Sequence, residues 1–260
     1  MPINLAFSTK FIAEAKLPPK PHANLSLAAE PTVFDTIKNQ AIVVGSDVVS
    51  FESGVDDEFR RAIADSALLA QFVASATTPP TQDPIGWFDA YFAALANFGW
   101  VTQSRDTAVY DTKGEGLDVH QAILQVVAAF AGAAPAAVAL ITTALNALHS
   151  MNQDSPLITL FNKESQHGTV GSFQITAVRK DPTKGLLAEA IAFALTADST
   201  ITQILFFKLQ KSRTTLRRSQ GSVSLDVDAM RAVAPAIKTR IAAYRLAYIA
   251  AIPLPPVPPT

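Results

Sequence analysis

The residues of this 260-residue chain whose types suit proton transfer or metal binding are four histidines, at positions 22, 120, 149 and 167, and the carboxylates Glu52, Asp56, Asp57, Glu58 and Asp65. Histidine ligation is announced in a sequence when two imidazoles stand a helical turn or a tight turn apart. None do here, so no metal site is predicted. The carboxylates are interleaved with Arg60 and Arg61 at the start of a helical pattern. That setting suits a solvated face favoured by the helix dipole better than an acid/base pair. The chain lacks a Gly-x-x-x-x-Gly-Lys-Ser/Thr phosphate loop, a Gly-x-Gly-x-x-Gly turn, a Gly-x-Ser-x-Gly elbow and a His-Glu-x-x-His pair. With 0 cysteines it has no thiol nucleophile, thiolate zinc, iron–sulfur cluster or disulfide. The expectation is a protein without a catalytic centre or cofactor.

Charge is the stronger signal. Only 17% of residues are charged and the formal net charge is -1, which argues against an overall nucleic-acid footprint. The small total is a cancellation. Between 208 and 245 lie nine basic residues, among them Lys208, Lys211, Arg213, Arg217 and Arg218, against Asp226 and Asp228. Such an end suits an anionic surface, at about 1 kcal/mol per basic residue near a charged membrane, and equally suits residues that snorkel from strand and helix ends. Positions 119 to 153, by contrast, form 35 consecutive residues without Asp, Glu, Lys or Arg. The stretch 126–148 is long enough on paper to span a bilayer, but it is rich in alanine and has Gly132 and Pro135 at its centre. It reads as two buried helices, about 118–131 and 135–150, capped by Asp118 and begun again at Pro135. Both a soluble core and a layer able to leave that core for a membrane fit this pattern.

The elements that must position these residues follow from periodicity. A Pro-rich arm over 1–31, without a signal-peptide apolar run, leads to a predicted helix over 32–44. Another helix is predicted from Asp56, with Phe59, Ile63, Ala67, Ala70 and Val73 on one face. Asp83-Pro84 caps a third, in which Trp87, Tyr91, Leu95 and Phe98 share a face before Gly99. Beyond residue 155 the period changes to two. Strands are predicted at 157–161, 170–178, 186–197 and 201–210, with Asp181 to Gly185 as a hairpin turn. The third of these is apolar on both faces: Leu187, Ile191, Phe193 and Leu195 on one, Leu186, Ala188, Ala190, Ala192 and Ala194 on the other. An antiparallel strand with two dry faces needs cover on both sides. A last helix runs from Asp226 or Asp228 to Ile252 with Pro235 as a kink, and 253–260 reads as a polyproline tail. The reading is one α+β domain over 1–260, an antiparallel sheet covered on both faces by helical hairpins in α/β/α layers.

Taken in order, the charge-poor helix pair, Leu157-Ile-Thr-Leu-Phe-Asn-Lys-Glu-Ser165, the strand with Phe173-Gln-Ile-Thr-Ala, the hairpin and Gln203-Ile-Leu-Phe-Phe-Lys-Leu-Gln210 resemble the Cyt-type cytolysins, a group that includes the Cyt delta-endotoxins and the volvatoxins. Trp87-Phe-Asp-Ala-Tyr91, Asn97-Phe-Gly-Trp100 and the long last helix are more similar to Evf-like bacterial virulence factors. The resemblance covers about residues 85 to 250. It implies a Cyt-like fold and a toxin or virulence factor that acts on membranes without a catalytic centre, by pore formation or lipid disruption. Acylation on cysteine, known in the Evf-like group, is excluded by composition.

Two functional readings remain. In the first, Lys208, Lys211, Arg213, Arg217 and Arg218 contact anionic lipid, and an apolar set of Phe130, Leu140, Ile191, Phe193, Leu195, Phe206 and Phe207 inserts, with self-association on the membrane. In the second, the same apolar set and the alanine face line a tunnel for a fatty-acid-like ligand of a soluble binding protein. Nucleic acid is not expected as a partner. The protein is expected in the cytoplasm or released by a non-classical route, to act at a target membrane.

Overall fold

The computed structural model describes residues 4–21, 32–110, 118–130, 135–183, 185–209 and 214–255, without the side chains of 105–110 and 130. After a short helix α1 (Leu5–Glu14), the segment predicted helical over 32–44 is not a helix: residues 32–39 are irregular and its end forms strand β1 (Gln40–Val44), which pairs with β2 (Asp47–Phe51). Five of these ten residues are valine or isoleucine, and β-branched side chains favour the pleated surface. Gly45, at φ +56°, makes the two-residue turn between them. Gln71 clamps that turn: its Nε2 donates to Val44 O at 2.8 Å and its Oε1 accepts from Ser46 N at 3.0 Å.

Helices α2 (Asp57–Thr77) and α3 (Pro84–Ala96) form where the apolar spacing placed them, and the Asp83 side chain accepts from Gly86 N at the start of α3. Strand β3 (Trp100–Tyr110) follows, then α4 (Val119–Phe130) and α5 (Pro135–Ser150). The segment predicted as a strand over 157–161 is a helix, α6 (Pro156–Ser165). Ser155 caps it through Ile158 N and Pro156 holds its first position, a start signal that outranks a short apolar run. After the two-residue β4 (Gln166–His167) come β5 (Val170–Asp181) and β6 (Gly185–Ala197), the hairpin read from sequence, with Gly185 at φ +72°. The strand predicted over 201–210 is not one: among its described residues only a 3-10 turn at Ile204–Phe206 and a single bridge from Lys208 to Asp118 form. The fourth long strand is β7 (Thr214–Leu225). The predicted last helix ends early, as α7 (Val227–Ile241), then α8 (Arg245–Tyr248) and β8 (Ile249–Ile252). Residues 256–260 of the predicted tail lie outside the described residues.

The strands run β3-β7-β6-β5-β2-β1-β8 in one sheet, with β4 on β5. Every pairing is antiparallel except β2 with β5. Helices cover both faces, as the two dry sides of β6 require. One layer, α1, α2, α3 and α7, packs on the face that carries Ala188, Ala190, Ala192 and Ala194. The other, α4, α5 and α6 with the 3-10 turn, packs on Phe173, Ile175, Ile191, Phe193 and Leu195. The α+β class and the three-layer arrangement are as the sequence indicated.

Candidate functional site

The two helical layers are held to the sheet by different chemistry. The α2 side is stitched by directional polar contacts. Arg60 is fully buried; its guanidinium donates to Val55 O and Glu52 O, each at 2.8 Å, to Lys38 O at 3.0 Å and to Gln40 Oε1 at 2.8 Å. Trp100 Nε1 of β3 donates to Ser66 Oγ of α2 at 3.1 Å, and Gln71 of α2 holds the β1–β2 turn. Within the layer, Trp87 Nε1 donates to Ser75 Oγ at 2.9 Å, Arg245 pairs with Asp65 at 3.0 Å, and Arg231 pairs with Glu58 at 3.3 Å on the surface. Burial nevertheless pushes the Asp65 carboxyl up to about 6 despite Arg245 beside it.

On the opposite side α5 lies on the sheet through Ala137, Ile141, Ala144, Leu145 and Leu148. Among the described residues no hydrogen bond or ion pair joins α5 to a strand. The reason is compositional: positions 119–153 have no charged side chain to offer. Apolar contact is non-directional and scales with buried area, so α5 is held to the strands by area and not by directional bonds. The polar stitches of the α2 layer are directional, and a buried donor or acceptor left unpaired costs about 1–3 kcal/mol.

The residues proposed for insertion or tunnel lining divide as follows. Ile191, Phe193 and Leu195 are buried under the α4–α5 layer, with the Phe193 ring stacked 5.0 Å from that of Phe173. Phe206 and Phe207 are half-buried against the same cluster. Leu140 is buried beside that cluster and lines a groove of about 860 Å³ shared with Ile37, Ala136, Ala139 and Leu254. Phe130 ends α4, and its side chain is outside the described set. The alanine face is filled: Trp87, Phe88, Tyr91 and Phe92 of α3 share one packed cluster with Ala188 to Ala194, which are 0–4% exposed.

The proposed basic contact is dispersed. Lys208 is exposed at its bridge to Asp118, while Lys211 and Arg213 lie outside the described residues. Arg217 and Arg218 are consecutive in β7 and so project to opposite faces: Arg217 lies opposite Ala194 and Arg218 opposite Phe193. Arg217 is exposed, and Arg218 donates to Gln220 Oε1.

The fold also assembles a cluster that the sequence reading discounted. His120 and His149 stack with ring centroids 4.1 Å apart and planes 12° apart, and His149 stacks on Phe206 at 4.7 Å. Asp118 Oδ2 lies 3.7 Å from His149 Nε2. Burial and the neighbouring His149 push the His120 imidazole below its ordinary value, against Asp118 and a hydrogen bond with Asn146. The signal was present: in a helical hairpin the first turn of one helix lies beside the last turn of the other. Of the remaining histidines, His167 lies in β4, held below its ordinary value by burial, and His22 is outside the described residues. Glu52, Asp56, Asp57, Glu58 and Asp65 form no acid/base pair; Asp57 and Glu58 occupy the first turn of α2.

No protein-family model matches the chain, and no curated protein matches it by sequence. Among solved structures it is similar to a delta-endotoxin (10% identity over 82% of this chain and 91% of that one, TM-score 0.36). It is similar also to the Evf virulence factor (10% identity, 95% and 91% covered, TM-score 0.32). A third is the activated Cyt2Ba monomer from Bacillus thuringiensis subsp. israelensis (14% identity, 60% and 93% covered, TM-score 0.28). These are the same two groups that the residues of the sequence resemble.

Proposed function

We propose that this protein is a non-enzymatic toxin or virulence factor that acts on a lipid membrane, exchanging the α4–α5 cover of its sheet for lipid. The observation that carries this reading is the asymmetry of the two layers: α5 rests on the strands through apolar contact alone, whereas the α2 layer is tied by buried polar bonds. In water the α4–α5 contact holds because separation would expose apolar surface on both partners, at roughly 25 cal/mol per Å². At a bilayer both surfaces find an apolar solvent, and that opposing term largely disappears.

Dimensions decide what then enters. No described helix is long and apolar enough to cross a membrane; α4 and α5, with 12 and 16 residues, reach only about 18 and 24 Å. Strands β3, β7, β6 and β5 have 11, 12, 13 and 12 residues, and a spanning strand needs about 9–11. The helices therefore settle in the interface, where their apolar faces enter the acyl boundary, and the uncovered face of β5 and β6 meets lipid. Lys208, exposed beside the start of α4, and Arg218, on the same face as Phe193, favour anionic headgroups. Release of a trapped dye from anionic vesicles tests the reading. Leakage at sub-stoichiometric protein per lipid is expected, and intact vesicles across lipid compositions would remove the lytic form of the proposal.

A further inference from the structure

We propose that Asp118, His120 and His149 form a binding site for a divalent transition metal ion of the Zn²⁺ class, placed where the first turn of α4 meets the last turn of α5. One ligand atom from each residue lies within 4.8 Å of the other two. His120 is 6% exposed, and its Nε2 is buried without a hydrogen-bond partner, an arrangement that costs stability unless something occupies it. Asp118 divides its labour: Oδ1 accepts from Gln121 N at 2.8 Å as the cap of α4, which leaves Oδ2 facing His149 Nε2 at 3.7 Å.

Two imidazole nitrogens and one carboxylate oxygen make a borderline donor set. It suits Zn²⁺, Co²⁺ or Ni²⁺ and discriminates against Mg²⁺ and Ca²⁺, which take oxygen ligands. Three protein ligands leave one position of a tetrahedral ion for water. The stacked rings are not yet in bonding position, because an ion must lie near the plane of each imidazole that holds it. Ligands at 2.0–2.1 Å on a tetrahedral ion are about 3.4 Å apart, so the widest gap of 4.8 Å closes by about 1.4 Å. His149, with 31% of its side chain exposed at the end of α5, is the ring that must turn, giving up its stacking on Phe206, while His120 is held in the core. The ion would bridge the two helices at the root of their hairpin, where α5 otherwise meets the sheet through apolar contact. The site stands on its own geometry and does not depend on the membrane reading.

Titration of the chelator-treated full chain with ZnCl₂, followed by calorimetry, tests the proposal. One equivalent is expected to bind saturably, with MgCl₂ giving no heat, and with His149→Ala and Asp118→Asn each weakening Zn²⁺ at least tenfold. Asp118→Asn retains the capping oxygen, so its helix is kept. Added Co²⁺ should also give the unmodified protein the visible absorption of a four-coordinate nitrogen/oxygen site, a readout that needs no variant. Lack of saturable Zn²⁺ binding, Zn²⁺ binding unchanged in both variants, or only the spectrum of hydrated Co²⁺ would each overturn it.

Discussion

The Thr176 hydroxyl donates to Oδ2 of Asp47 across 2.9 Å, joining β5 to the first residue of β2 at the one parallel junction of the sheet. Asp47 is fully buried and its Oδ1 has no partner, so desolvation pushes its carboxyl up to about 7 despite the hydrogen bond from Thr176. A carboxyl raised from its unfolded value of 3.8 binds its proton more tightly in the folded state. Stability is therefore highest near pH 4 as far as this group is concerned and falls as pH rises towards 7, by about 4 kcal/mol in all. Asp47→Asn keeps an acceptor for Thr176 and removes the ionisation. Urea unfolding at pH 4 and pH 8 should show the variant gaining stability over the parent at pH 8 and little at pH 4.

The alanine face of β6 is matched to the rings of α3. A Cβ built on Gly221, which lies opposite Ala190 in the sheet, would come within 3.6 Å of the Phe92 ring. Ala190→Leu must push α3 outward, at about 1–3 kcal/mol, and its midpoint of thermal unfolding is expected to drop by several degrees. A tunnel along this face would instead accept the larger side chain without loss, so the same measurement decides against or for an apolar ligand held there.

Lys208 is exposed beside the start of α4, and Arg218 stands with Phe193 on the face of the sheet that α4 and α5 cover; these are the charges nearest an anionic surface approaching from that side. Each contributes about 1 kcal/mol to such an encounter. Lys208→Gln and Arg218→Gln should each lower vesicle association about fivefold in a sedimentation assay at low salt, with the difference shrinking as salt is raised. Arg217→Gln, on the opposite face with Ala194, should have a smaller effect.

The parts of the fold that could be read from the chain are those whose local signals agree. Asp83-Pro84 with an aromatic stripe gives α3, Asp118 and Pro135 bracket α4 and α5, and the double-faced pattern of β6 demands a layer on each side. The misreadings have local causes. Ser155-Pro156 is a helix start that the apolar run after it obscures. Gly45-Ser46 between two valine-rich runs is a hairpin turn, which makes the end of the segment predicted helical over 32–44 a strand. Strands β3 and β7 escape notice because their polar residues fall on both faces. In β7 Arg217-Arg218 breaks the alternation on which a strand reading depends. The His120–His149 stack was legible only through the hairpin, since 28 residues lie between the two histidines. Sequence spacing reports ligand pairs on one element and is silent about pairs on two.

The central claim is that the two layers differ in their freedom to leave the sheet, and a chain without cysteine allows it to be measured with single labels. Ala147 of α5 and Ala236 of α7 are both half-buried and packed against their own cores. An environment-sensitive fluorophore placed on Ala147→Cys or on Ala236→Cys reports whether each helix reaches lipid when quenchers are attached to the acyl chains of anionic vesicles. The expected result is strong quenching at 147 and little at 236 with both proteins bound. Equal quenching at the two positions, or none at 147 on vesicles that carry the protein, would contradict it.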